Sequence, residues 1–185
     1  MLKTLVLNNP LELSNYGIKV SHHETFNDDR GNLTVAFNEN FDTSHKLSRK
    51  TSKTFAGFFR GMHIQIAPSR QEKITSVVSG KIMQAFMDLD KSSVFFGSIL
   101  LTKICASDNI TLCIPSSFAH GFYAYEDTVF DYICIGEYNL SCELSINPKD
   151  LLMGQDISAK LSEKDQQGIG MIGLINDIFT GKILI

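Results

Sequence analysis

Hydrophobic and polar positions through the middle of the chain fall into short apolar runs cut by turn residues. Leu33–Phe37, Gly57–Ile66, Lys73–Val78, Lys81–Leu89, Gly97–Ile104, Ile110–Ile114 and Thr128–Ile135 each read as a strand, and a spacing of roughly 8–12 residues is that of a sandwich or barrel. Ser79-Gly80 between two of these runs is a hairpin signal. In Lys81–Asp88 the residues Met83, Ala85 and Met87 share one face, while Ile82, Gln84, Phe86 and Asp88 share the other. Apolar residues on both faces predict a strand covered on both sides, and polar Gln84 among them hints at a lined cavity. Helical signal is confined to the C-terminal region, as short turns in Asp150–Lys164 and a weak pattern in Gly168–Phe179. The pattern predicts an all-β core with a short helical C-terminal appendage. No repeat or linker divides the chain, so residues 1–185 are expected to form a single domain.

Composition narrows the classes. The chain has 185 residues, 43% hydrophobic and 20% charged, which suits a folded domain and argues against disorder. The net charge of −3 comes without a basic stripe, so no nucleic-acid partner is expected. No apolar stretch approaches the roughly 20 residues of a membrane span, and the apolar run at the N-terminus is broken by Asn8, Asn9 and Pro10. Neither membrane association nor a leader is expected. Cys105, Cys113, Cys134 and Cys142 lie in strand-like stretches without a C-x-x-C pair. They read as buried free thiols of a cytoplasmic protein.

Two of the five histidines have apolar neighbourhoods. His63 sits in Arg60-Gly61-Met62-His63-Ile64-Gln65 on a face shared with Gln65, and His120 follows the strand that ends at Ile114. An ionisable ring there has to be hydrogen-bonded or used. His22, His23 and His45 read as surface residues. Taken singly, a core role for His63 and His120, a solvated strand end for Lys73 and a core position for Tyr132 are equally open.

Their order along the chain adds a resemblance. Asp29-Arg30-Gly31, Arg60–Gln65, Gln71–Lys73, Asp88-Leu89, Ser93–Gly97, Pro115–Phe122, Tyr132–Cys134, Tyr138 with Glu143, and Leu161–Asp165 follow one another in register. This order resembles the dTDP-4-dehydrorhamnose 3,5-epimerase family. The resemblance implies a cupin-type double-stranded β-helix (jelly roll) that pairs into homodimers and uses neither cofactor nor metal. The implied activity is epimerisation of a nucleotide-diphosphate sugar carrying a 4-keto group, at carbons 3 and/or 5. On it, His63 is the base with Asp165 as its carboxylate partner, and Tyr132 is the acid. Lys73, with His120, stabilises the enolate, and Arg30 and Arg60 hold the diphosphate. Gln65, Gln71, Tyr138 and Glu143 complete the substrate-binding set.

The chain departs from the family pattern mostly in the pocket lining. Asn32, Leu33 and Thr34 follow Gly31; Ser48, Arg49 and Lys50 stand where the family has Q-x-N; Gln84 replaces a common Asp; Asp90 replaces an Arg; Ile133 and Ile146-Asn147-Pro148 also differ. Three other readings remain. One is a nucleotide-sugar 3,4-ketoisomerase, and another a non-catalytic sugar-binding cupin. The third is a metal cupin in which His63, Glu72 and His120 imitate a ligand set, although Gln65 breaks the usual H-x-H.

Overall fold

The structure is a computed structural model and describes residues 2–38 and 44–185. Thirteen strands run β1 (Thr4–Leu7), β2 (Lys19–His22), β3 (Glu24–Asp28), β4 (Gly31–Val35), β5 (Leu47–Thr54), β6 (Phe59–Gln65), β7 (Glu72–Ser79), β8 (Lys81–Asp88), β9 (Ile99–Cys105), β10 (Ile110–Ile114), β11 (Phe118–Ala124), β12 (Thr128–Ile135) and β13 (Glu143–Ser145). A six-stranded sheet, ordered β1-β9-β8-β11-β6-β13, faces a five-stranded sheet, β2-β10-β7-β12-β5. Strands β3 and β4 form a separate two-stranded hairpin. Helices α1 (Lys149–Gly154), α2 (Glu163–Gln166) and α3 (Met171–Phe179) follow, as the C-terminal pattern predicts. None is long and apolar enough to cross a membrane.

The apolar alternation explains the layering. Between the sheets, Ile82, Phe86, Leu100, Ile104, Phe118 and Phe122 of the larger sheet meet Val77, Ile110, Leu112, Ile114 and Phe130 of the smaller. On the outer face of the larger sheet, Met62, Ile64, Met83, Ala85 and Met87 pack with Leu151 and Leu152 of α1 and Met171, Leu174 and Ile178 of α3. Strand β8 is therefore covered on both sides, as its two apolar faces predict.

The sequence expectations fail at two places in this region. Ser79-Gly80 does not close a hairpin: β7 pairs with β10 and β12, whereas β8 pairs with β9 and β11 in the other sheet. Gly80 (φ +88) turns the chain from one sheet to the other, where a β-carbon would lie 2.7 Å from the Asp127 carbonyl oxygen. His120 lies within β11 rather than after a strand, and β11 sits between β6 and β8. Strands β1, β2, β3, β5, β11 and β13 lack a predicted counterpart. Strand β5, Leu-Ser-Arg-Lys-Thr-Ser-Lys-Thr, is an edge strand and almost wholly polar. None of the four cysteines is in a disulfide; Cys134 and Cys142 are buried, while Cys105 and Cys113 are half-buried. His23 is half-buried too, within hydrogen-bonding distance of the Thr111 hydroxyl at 2.8 Å.

One irregularity shapes the interior. Along the β6–β11 pair, His63 faces His120 and Arg60 faces Phe122, so three steps on β6 match two on β11. This bulge lets Arg60 and His63 share a face that regular alternation would deny them. It needs two glycines: a β-carbon on Gly61 would meet Gly121 Cα and the His120 carbonyl oxygen at 2.8 Å, and one on Gly121 would meet the Arg60 carbonyl oxygen at 2.6 Å. Gly121→Ala is expected to lower stability by about 1–3 kcal/mol through overpacking, measured by urea unfolding. Wild-type stability in that variant would mean that the two strands tolerate a wider separation.

Candidate active site

A cavity of about 450 Å³ opens between the sheets next to this bulge. One wall, on the larger sheet, carries Arg60, His63 and Gln65 of β6 with His120 of β11. The opposite wall, on the smaller sheet, carries Lys73 of β7 and Tyr132 of β12. Gln71, Tyr138 and Glu143 also line it. Residues separated by up to about half the chain are thus gathered by strand register alone.

His63 Nε2 lies 2.7 Å from Asp165 Oδ1. Asp165 is buried on α2 behind His63, and it also accepts hydrogen bonds from the Ser145 hydroxyl at 3.1 Å and the Ser162 hydroxyl at 2.8 Å. Ser162 is the N-cap of α2 and accepts from the Asp165 backbone N–H, which fixes the carboxylate from its own backbone. Burial pushes the Asp165 carboxyl up, but the bonds from His63, Ser162 and Ser145 prevail and hold it below the usual carboxylate range. A carboxylate accepting from Nε2–H leaves Nδ1 of His63 as the basic nitrogen.

Lys73 is half-buried and makes no ion pair among the described residues. Burial lowers its ammonium from the ordinary lysine value, opposed by the Cys134 and Glu143 side chains. Burial, then the Lys73 charge and His63, hold His120 well below the usual histidine range, so its ring is neutral. Burial raises the Tyr132 phenol, against the pull of Arg60, and a protonated phenol is what a proton donor requires. Glu143 accepts from Lys164 Nζ at 2.6 Å and from the Tyr138 hydroxyl at 2.9 Å. Burial raises its carboxyl, and these two bonds bring it below the ordinary value.

The family model for dTDP-4-dehydrorhamnose 3,5-epimerase matches residues 12–171. The chain belongs to the dTDP-4-dehydrorhamnose 3,5-epimerase family. A Shigella flexneri dTDP-4-dehydrorhamnose 3,5-epimerase is 32% identical over 111 residues, 56% of this chain and 61% of that protein. The match thus spans about three-fifths of that relative's length. A Methanothermobacter thermautotrophicus enzyme of the same name is 28% identical over 162 residues, 81% of this chain and 87% of its own. The crystal structure of dTDP-4-dehydrorhamnose 3,5-epimerase from Sulfolobus tokodaii superposes with a TM-score of 0.74 at 29% identity, covering 84% of this chain and 91% of that one.

The structure brings together all the site residues that the resemblance to dTDP-4-dehydrorhamnose 3,5-epimerases implies, except one. Arg30 stands at the tip of the β3–β4 hairpin, its side chain 90% exposed and paired to Asp28 at 2.5 Å. It does not line the cavity; its hairpin is paired to neither sheet. Gln65 and Gln71 are buried and partly engaged by backbone: Gln65 Oε1 accepts from the Asn139 N–H at 3.1 Å, and Gln71 Nε2 donates to the Gly136 carbonyl at 3.1 Å. Glu72 does not line the cavity of His63 and His120 and borders a second one together with Lys73; among the described residues, His63, Glu72 and His120 do not form a ligand set.

The resemblance already placed Lys50 among the altered lining residues, but sequence reasoning missed β5 as a strand, and with it Ser52 and Lys53. Lys50, opposite Tyr132 in register, places its ammonium 5.9 Å from the Tyr132 ring centre and 5.2 Å from that of Tyr138. Ser52 accepts from Arg60 Nη1 at 3.3 Å, and Lys53 also lines the cavity. A polar edge strand carries no apolar signal, but alternation of Ser48, Lys50 and Ser52 along it marks one face. Gln84 was expected to line a cavity; it lies instead in the closed interior, outside this lining.

The Asp165 carboxyl is held below its unfolded value of about 3.9. Its share of the stability is complete above that pH and is lost as pH falls through the depressed folded value. The stability gap between wild type and Asp165→Asn, measured by urea unfolding, is expected to shrink below about pH 4. A gap that stays constant into acid would mean the carboxylate gains nothing from His63, Ser145 and Ser162.

Proposed function

We propose that the protein is an epimerase of a nucleotide-diphospho-4-keto-6-deoxy sugar, acting at carbon 3, carbon 5 or both. The observation that carries this reading is the placement of His63 and Tyr132 on opposite walls of one cavity, with half-buried Lys73 beside them. Inverting a carbon beside a ketone requires removing its proton from one face and returning a proton to the other. His63 Nδ1 takes the proton, and the bonding pair moves onto the carbonyl oxygen to give an enolate. Lys73 meets that charge from a partly desolvated position, where a fixed cation counts for more than in water, with His120 as a second donor. The enolate collapses by taking the proton of the Tyr132 hydroxyl on the opposite face; solvent then reprotonates the phenolate and takes the proton from His63.

The cavity also carries Lys50, Lys53 and Arg60 against a single carboxylate, Glu143, which is already paired to Lys164. A basic mouth on a chain of net charge −3 supports a diphosphate ligand. The names of the relatives support the sugar class. A homodimer is part of the reading: Phe26 and Leu33, paired across the exposed hairpin, are 58% and 67% exposed, and a second copy covering them would also give Arg30 a site to serve. A cytoplasmic location follows from the thiol chemistry of the four cysteines.

Mass spectrometry of deuterium uptake from deuterium oxide tests the reaction on a panel of dTDP-, CDP- and GDP-linked 4-keto-6-deoxy sugars. Uptake of two deuterons is the 3,5-epimerase result. One deuteron means a single-site epimerase, or a ketoisomerase if the product's carbonyl has moved. No uptake by folded protein on any of them would overturn the proposal. His63→Ala is expected to lower exchange at least about a hundredfold, and near wild-type exchange would remove His63 as the base. Tyr132→Phe is expected to reduce product formation more than exchange. Light scattering is expected to give twice the 20.6 kDa chain mass.

A further inference from the structure

Among the described residues, six buried side-chain polar atoms make no hydrogen bond, and four of them lie in one stretch of the interior: Gln84 Nε2 and Oε1, Thr102 Oγ1 and His120 Nδ1. Gln84 and Thr102 are 1% and 2% exposed, and a buried polar group without a partner costs about 1–3 kcal/mol. Their register shows how they relate. Gln84 is directly opposite Thr102 on the β8–β9 pair and opposite Phe122 on the β8–β11 pair, where His120 faces Phe86. Gln84 and His120 are therefore diagonal neighbours on one face, about 7–8 Å apart at Cα and within reach of a glutamine side chain.

We propose that Thr102, Gln84 and His120 form a single hydrogen-bonded chain, in which Gln84 is a positioning residue that fixes the tautomer of His120. The Thr102 hydroxyl donates to Gln84 Oε1, and this sets the orientation of the amide. Gln84 Nε2 then donates to His120 Nδ1. A ring that accepts at Nδ1 carries its proton on Nε2, the nitrogen left for the cavity. All four orphaned atoms are satisfied by this one chain, which is the strongest reason for it. A neutral amide also suits the surroundings. His120 faces Lys73 from β7, His63 and Arg60 from β6, Tyr132 from β12, Lys50 from β5 and Glu143 from β13 around the cavity, and Asp88 of its neighbour β8 is held by Ser93 at 2.5 Å. A carboxylate at position 84 would favour an imidazolium beside Lys73, whereas an amide leaves the ring neutral and able to donate to the enolate oxygen. The kinetic part of this inference rests on the epimerase reading; the tautomer does not.

Nitrogen-15 NMR of histidine-labelled protein without substrate, with the His120 signals assigned by their loss in His120→Asn, reads the tautomer directly. The wild type is expected to show the Nε2–H form at neutral pH. Gln84→Leu and the nearly isosteric Gln84→Met should both lose that preference, and Thr102→Val should weaken it. Gln84→Glu is expected to raise the pH at which His120 titrates. With a substrate found by deuterium uptake, Gln84→Met should lower kcat by about tenfold with little change in KM, the weight of one hydrogen bond. An Nδ1–H tautomer in the wild type, or an unchanged tautomer in folded Gln84→Met, would overturn the inference whether or not the protein is an epimerase.

Discussion

The close contact of Gly61 with Gly121 governs the site, because no residue with a β-carbon lets β6 and β11 approach so nearly at that point. The approach creates the bulge, and the bulge rotates Arg60 onto the face of His63 and Gln65. It also sets His120 directly across from His63. The His63 and His120 rings and the Arg60 guanidinium are thereby held on one wall. Positions on strands of a central sheet vary little, which is what reactions sensitive to small displacements require.

The other wall supplies the charge. Lys73 stands half-buried, its ammonium disfavoured by that burial, and no carboxylate comes within ion-pair distance among the described residues. Such a cation is poorly compensated in the unliganded protein, which is why the proposed reaction assigns it the developing negative charge. The nearby acids are engaged elsewhere: Glu143 by Lys164 and Tyr138, and Asp165 by His63, Ser145 and Ser162. The site is thus arranged so that the strongest unmet electrostatic demand points into the cavity.

Much of this was legible in the chain. Strands β7, β8, β9, β10 and β12 were readable because each is rich in β-branched or apolar residues and bounded by turn residues. Strand β5 was not, since an edge strand lining a polar cavity has no reason to be apolar. Strand β11 was hidden by its alanines and by Gly121, which is small because the β6 backbone comes close. The Ser79-Gly80 signal marked a real turn, but a local signal cannot say whether the following strand folds back in the same sheet or crosses to the other.

The sequence by itself determined which chemical groups were available, and their order pointed to His63, Lys73, Tyr132 and Asp165 before any contact was known. Local physics supplied the strands and the available groups, and the resemblance carried by their order singled out these four. Tertiary structure alone decided that Ser145 and Ser162 hold Asp165, that Lys50 lies over two tyrosine rings, that Arg30 stands outside its own cavity, and that Gln84 sits between Thr102 and His120. These are matters of register between strands distant in sequence, and register is set by how whole faces bury themselves and by where a bulge interrupts them.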